Sequence, residues 1–176
     1  MRTLKSLMLV SILLLTVCVT AQDKKDRKIM NDAKKAKKTL LKADSALERF
    51  FENSAGYVLF PNVGKGGFII GGASGNGVLY EEGQSVGMAN LKKLNVGFQA
   101  GGQAIIEIIF FETQVDLERF KEGKFEFAAE ASAVALKSGI AANAKYKDGV
   151  AVFALPKAGL MADASVGGQK FGYKPF

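Results

Sequence analysis

Few side chains in this sequence are equipped for chemistry, and lysine dominates them. The 176 residues contain no His and no Trp, and the one Cys, Cys18, sits in an N-terminal apolar stretch. Without His there is no imidazole base and no histidine metal ligand, and one Cys cannot build a zinc cage. Ser, Asp and Glu remain, but no paired carboxylates and no nucleophile beside a base stand out. Glu107 interrupts the apolar run AIIEIIFF at 104–111. A lone acid there reads as half-exposed or locally hydrogen-bonded, not as a catalyst. The expectation is a protein that is not an enzyme, with no catalytic residue, no metal site and no cofactor. What is left is concentrated positive charge. Lys34, Lys35, Lys37, Lys38 and Lys42 crowd one segment, and Lys65 lies in a glycine-rich loop. Ammonium groups packed this closely attract anions. The glycines around Lys65 would let an anionic group approach the backbone, although a solvent-facing turn lysine explains that position as well. The loop lacks the spacing of a nucleotide-binding P-loop, and no G-x-G-x-x-G occurs.

The element that must position the lysines is a helix. Ile29, Ala33, Ala36, Leu40, Ala43, Leu47 and Phe50 recur at alternating spacings of four and three, which makes one apolar stripe, and the five lysines lie off it. Residues 23–49 carry ten Lys/Arg against five Asp/Glu, whereas 50–176 carry twelve of each. The basic excess therefore belongs to a helical arm beside a neutral remainder. That pairing points to an anionic surface as partner; the plainer alternative is a solvated helix face whose apolar side caps the rest of the fold. Nucleic acid is disfavoured, because the basic segment lacks interleaved aromatics.

The start of the chain reads as an export signal. Arg2 and Lys5 precede an apolar run at 7–17, and Val19, Thr20 and Ala21 supply small residues for cleavage before Gln22. Lipidation at Cys18 is an alternative, but Val17 stands where such signals usually have Gly, Ala or Ser. An uncleaved anchor is disfavoured because the apolar run is short for a span. The division expected is 1–21 as signal peptide, 22–54 as basic amphipathic arm and 55–176 as a glycine-rich β domain. The expected location is exported, in the periplasm or associated with the cell envelope.

All 20 glycines and all three prolines fall at or after Gly56, and seven of the fourteen residues 64–77 are glycine. Gly71 and Gly72 inside an apolar run mark a bend or a close backbone approach. Asn76 between Gly75 and Gly77 reads as a hairpin turn, and Asp148-Gly149 as another. Strands are expected at 57–63, 68–74, 78–80, 84–90, 95–101, 104–111, 125–135, 141–146, 150–155 and 159–166, with a short helix at 113–121 capped by Thr113. The fold class is α+β: a curled antiparallel β-sheet or small β-barrel, one N-terminal amphipathic helix and one short internal helix.

These motifs together resemble the SYLF domain family, also known from the actin-binding domain of a yeast SH3-partner protein. The resemblance runs from about 55 to 170. It is carried by YVLFP at 57–61, KGGF at 65–68 with Gly71 and Gly72, GVL at 77–79, VGFQAGGQ at 96–103, GKF at 123–125, the Ala-rich run at 128–135 and KAGL at 157–160. It implies lipid binding, with phosphoinositides in eukaryotic members and actin in fungal ones, and it carries over no catalytic residue. In some members an amphipathic N-terminal segment contributes to membrane binding, and the arm occupies a similar place. The signal-like leader argues against phosphoinositides and actin as natural ligands here and aligns the chain with an exported bacterial branch. The ending, FGYKPF at 171–176, departs from the usual family tail. The expectation is therefore a non-catalytic module that meets anionic phospholipid headgroups or a membrane surface, through Lys34, Lys35, Lys37, Lys38, Lys42 and Lys65. The alternative is a structural or protein-interaction domain of the cell envelope with an unidentified protein partner.

Overall fold

The computed structural model of the chain describes residues 2–64, 72–94, 104–123, 134–157 and 169–176. It begins with helix α1 (Arg2–Ala43), a 3-10 turn (Ser45–Leu47) and helix α2 (Glu48–Asn53). The helical arm is broken once, at Asp44. That residue adopts extended φ/ψ of −152° and 106°, and its side chain accepts the Ala46 N–H at 3.1 Å, capping the turn that follows. The stripe foreseen from the spacing is the buried one. Ala33, Ala36, Leu40, Leu47 and Phe50 are core residues, while Ile29 and Ala43 are half-buried against them. Burying Leu40, Leu47 and Phe50 contributes roughly 1.5–3 kcal/mol each.

Among the described residues seven strands follow: β1 (Gly56–Gly64), β2 (Gly72–Glu81), β3 (Gln84–Leu94), β4 (Ile105–Phe111), β5 (Val134–Ala135), β6 (Val150–Pro156) and β7 (Gln169–Pro175). Helix α3 (Gln114–Lys121) follows β4, and α4 (Ile140–Asn143) follows β5. The strands form one sheet in the order β5-β6-β4-β1-β2-β3-β7. Every pairing is antiparallel except β5 with β6, which is parallel. The fold is α+β as expected. In the described residues the sheet is open, with β5 and β7 at its edges, so the barrel alternative is not realised there.

The two faces of the sheet are both covered. One presents Leu59, Val78, Tyr80, Ile108, Phe110 and Phe153 to α1 and α2. The other presents Phe60, Val63, Leu79, Leu91, Ile109 and Val152, with Leu117 and Phe120 of α3 packed on them. α3 starts as the sequence implied. Thr113 and Asp116 form a reciprocal capping box, and Gly123 lies past the end at φ 69°. Its far side is tied to the end of β2 by Lys121, whose Nζ is 2.8 Å from carboxylate oxygens of both Glu81 and Glu118.

Small residues on the α3 face allow the sheet to curl. Strand β1 is separated from β7 by β2 and β3, so about 14 Å would separate them in a flat sheet. Yet the rings of Phe60 on β1 and Phe171 on β7 lie 6.1 Å apart. Gly77 makes room for this. A Cβ there would stand 2.6 Å from both the Leu59 carbonyl oxygen and the Phe60 ring.

Gly77 also corrects the sequence reading. Gly75, Asn76 and Gly77 are not a hairpin turn; β2 runs straight through them, paired with Leu91, Asn90 and Ala89 of β3. The glycines serve close approach, and the turn falls at Glu82-Gly83, both with positive φ. Asp148-Gly149 is the turn expected, closed by reciprocal bonds between Lys147 and Val150. Residues 141–146 are not a strand, because α4 and an irregular segment occupy them. The C-terminal segment, by contrast, is a regular strand, β7, paired with β3. Glu107 is neither half-exposed nor at the surface. It is fully buried on the α3 face, between Phe60 of β1 and Ala154 of β6. The strand parity that places Ile105 and Ile109 inward places it inward too. The strands expected at 95–101 and 159–166, most of that at 125–135, and the loop with Lys65 and Gly71 lie outside the described residues.

Candidate functional site

Two features of the described surface gather charge: the outer face of α1 and a cleft beside α2. On α1, Lys34, Lys35, Lys38 and Lys42 are all exposed, opposite the stripe that faces the sheet. Lys24, Lys25, Arg27 and Lys28 extend this exposed surface toward the N-terminus. The residues that pack and the residues that carry charge are thus separated around one helix.

Lys37 behaves differently from its neighbours. It is half-buried, with Nζ 4.2 Å from the Phe51 ring centroid and 5.4 Å from that of Tyr57. Nζ also lies 3.5 Å from the Tyr57 hydroxyl. Burial lowers the pKa of this ammonium below the ordinary lysine value, partly offset by the Glu48 carboxylate. Beneath it, Tyr57 and Tyr80 stack at 4.8 Å across β1 and β2, and burial raises both phenols above their ordinary value. Lys37 is therefore a cation–π contact that ties the arm to the sheet. Of the six lysines singled out in the sequence, four share an open face, Lys37 turns inward, and Lys65 lies outside the described residues.

The cleft was not legible in the sequence. It has a volume of about 460 Å³ and is lined by Arg49, Phe50, Asn53, Glu112, Ala144, Lys145 and Tyr146. The arm builds one wall and also holds the other. Asp44 accepts the Ala141 N–H at 2.7 Å, at the beginning of α4. Arg49 donates from Nη2 to the carbonyls of Ala141, at 2.8 Å, and Ala144. Burial alone would raise the Asp44 pKa, but the backbone N–H groups of Ala141, Ala46, Gly139 and Ile140 outweigh it and hold the carboxyl below its ordinary value. The Arg49 guanidinium lies 4.7 Å from the Phe50 ring centroid, and Phe50 meets Tyr146 edge-on at 5.4 Å. The Tyr146 phenol is pushed up to about 12, by burial first and by the Glu112 carboxylate second, with Arg49 opposing. No single stretch of sequence shows this site, because its groups come from α2, the end of β4 and the segment after α4.

Among the described residues no cluster of acidic or Cys side chains is arranged to hold a metal ion, and no helix is long and apolar enough to cross a membrane. The groups that the outer face of α1 and the cleft present are ionic and aromatic. Residues 92–173 match the family described as Ysc84, Las17-binding protein actin regulator. This segment is thus similar to the SYLF family. It takes in the end of β3 and everything through β7 short of its last two residues, and so it includes α3, α4 and one wall of the cleft. The SYLF motifs at 57–61 and 77–79 lie on β1 and β2, outside the matched residues but within the same sheet. A further relative is beta cell expansion factor A of Aeromonas veronii, 30% identical over 83 residues, which are 46% of this chain and 32% of that protein. The matched stretch thus spans about a third of the relative's length.

Proposed function

We propose that this protein is an exported, non-catalytic module that docks on anionic membrane surfaces through the outer face of α1. The observation that carries the reading is the separation of roles around that helix. Its apolar stripe is spent on the sheet, and Lys34, Lys35, Lys38 and Lys42 are left exposed together. A helix whose apolar side is buried in its own domain cannot insert into a bilayer while remaining packed. Its attraction to a membrane is then electrostatic and peripheral. Each lysine near an anionic surface contributes on the order of 1 kcal/mol, within a Debye length of about 8 Å at physiological salt. Four such groups give reversible association and not a permanent anchor. The SYLF relationship supports a lipid-binding role, and the leader at 1–21 supports export to the periplasm or cell envelope.

The test is co-sedimentation of the mature chain with vesicles across a salt series. Binding to phosphatidylglycerol-containing vesicles that weakens steeply with salt, and no binding to phosphatidylcholine alone, is the expected result. Salt-independent binding to both would assign the contact to apolar groups; binding to neither would favour an envelope protein as partner.

A further inference from the structure

We propose that the cleft beside α2 is a binding site for a phosphorylated amine, in which a short carbon linker joins an ammonium to a phosphate. Its volume, about 460 Å³, lies in the range of small-molecule sites. Both signs of charge line it, yet they do not neutralise each other. Among the described residues Glu112 makes no ion pair, and neither do Arg49 and Lys145. Arg49 uses Nη2 for the carbonyls of Ala141 and Ala144, which fixes the guanidinium plane and leaves Nε and Nη1 as donors. The Tyr146 hydroxyl is shielded from solvent and, among the described residues, has no hydrogen-bond partner. A buried donor in that state calls for an acceptor.

A zwitterion completes this arrangement. Its ammonium would pair with Glu112, and its phosphate oxygens would accept from Arg49, Lys145 and Tyr146. Three donors on the cationic side suit the three terminal oxygens and higher charge of a phosphate monoester; a phosphodiester offers two terminal oxygens flanked by ester oxygens. The ligand has two sources that share an ammonium joined by a short linker to a phosphate group, a free phosphoamine monoester or the diester headgroup of phosphatidylethanolamine. The cleft does not use the exposed lysines of α1, so the inference stands apart from the docking reading above.

The experiment is an NMR titration of the 15N-labelled mature chain with O-phosphoethanolamine, glycerophosphoethanolamine, ethanolamine and inorganic phosphate. O-phosphoethanolamine should shift the amides of 49–53, 112 and 144–146, and bind at least about tenfold more tightly than ethanolamine or phosphate. Glu112→Gln should reduce its affinity to that of phosphate, and Lys145→Gln should weaken it about tenfold. Both side chains are exposed, so unchanged thermal unfolding will show that the variants remain folded. Glycerophosphoethanolamine binding equally well identifies the lipid headgroup as the source; its failure beside O-phosphoethanolamine identifies the free monoester. The proposal is overturned if none of these amides shifts, if phosphate binds as tightly as O-phosphoethanolamine, or if Glu112→Gln binds like the parent. A variant with Lys34, Lys35, Lys38 and Lys42 changed to Gln should keep the titration intact, so loss of membrane docking and loss of this site are separable.

Discussion

Asp44 and Arg49 hold opposite ends of α4. The Asp44 carboxylate accepts the Ala141 N–H near the helix start, and the Arg49 guanidinium donates to the carbonyls of Ala141 and of Ala144, the residue just past the helix end. An acid at the N-terminus and a base at the C-terminus both complement the helix dipole. A helix of four residues has little stability of its own, so these two side chains of the arm set its position.

The first prediction follows from that clamp. Asp44→Ala leaves buried N–H groups without acceptors and should destabilise the fold by about 1–3 kcal/mol, measured by urea denaturation. The folded-state pKa of Asp44 is depressed below the ordinary value of 3.8. Its contribution is therefore fully present above that value and is lost as pH falls through the lower folded pKa. Glu81 is depressed as well, first by hydrogen bonds from Lys121 and Gln114, and contributes in the same direction. Stability should fall below about pH 4 in the parent, with a shallower fall in Asp44→Asn. An equal slope in both would remove Asp44 from the account.

A second prediction concerns the curl of the sheet. Gly77→Val puts atoms against the Leu59 carbonyl and the Phe60 ring, and should destabilise by about 2 kcal/mol or more. Gly83 has φ 77° but nothing within 4 Å of a would-be Cβ, so Gly83→Asn, which tolerates that backbone, should change thermal stability little. Similar losses at both sites would show that turn geometry, and not close approach, is what the glycines provide.

Lys37 offers a third. Its half-buried stem and its contacts with Phe51 and Tyr57 make it part of the packing. Lys37→Met should keep stability within about 1 kcal/mol, because the stem is retained while a desolvated charge is removed. Vesicle binding should be unaffected. A drop in binding as large as that of an exposed lysine would return Lys37 to the docking face.

Export is the fourth. N-terminal mass spectrometry of protein recovered from an expressing bacterium should show a chain beginning at Gln22. An intact Met1, or a lipid-modified Cys18, would contradict the reading of the leader.

Periodic and capping signals survived translation into structure. The spacing from Ile29 to Phe50 gave the buried stripe, Thr113 gave the α3 cap, and Asp148-Gly149 gave a turn, because each depends on residues near in sequence. Gly77 misled because glycine has two uses, positive φ and absence of a side chain, and only the neighbour across the sheet tells which applies. The half-exposed alternative for Glu107 failed because charge suggested solvent, whereas strand parity between Ile105 and Ile109 required burial. The clamp by Asp44 and Arg49, and the cleft joining Arg49, Glu112 and Tyr146, depend on contacts between distant segments, which no local pattern encodes.

The central claim is that exposed lysines on the outer face of α1 dock the domain on anionic membranes. It is tested most directly by changing Lys34, Lys35, Lys38 and Lys42 together to Gln and measuring co-sedimentation with phosphatidylglycerol vesicles at two salt concentrations. Glutamine keeps helix propensity close to that of lysine, so the arm stays folded. The account predicts that binding falls at least tenfold and that what remains depends less on salt. Binding equal to the parent, with the parent's salt dependence, would contradict it and leave α1 as a cap on the sheet.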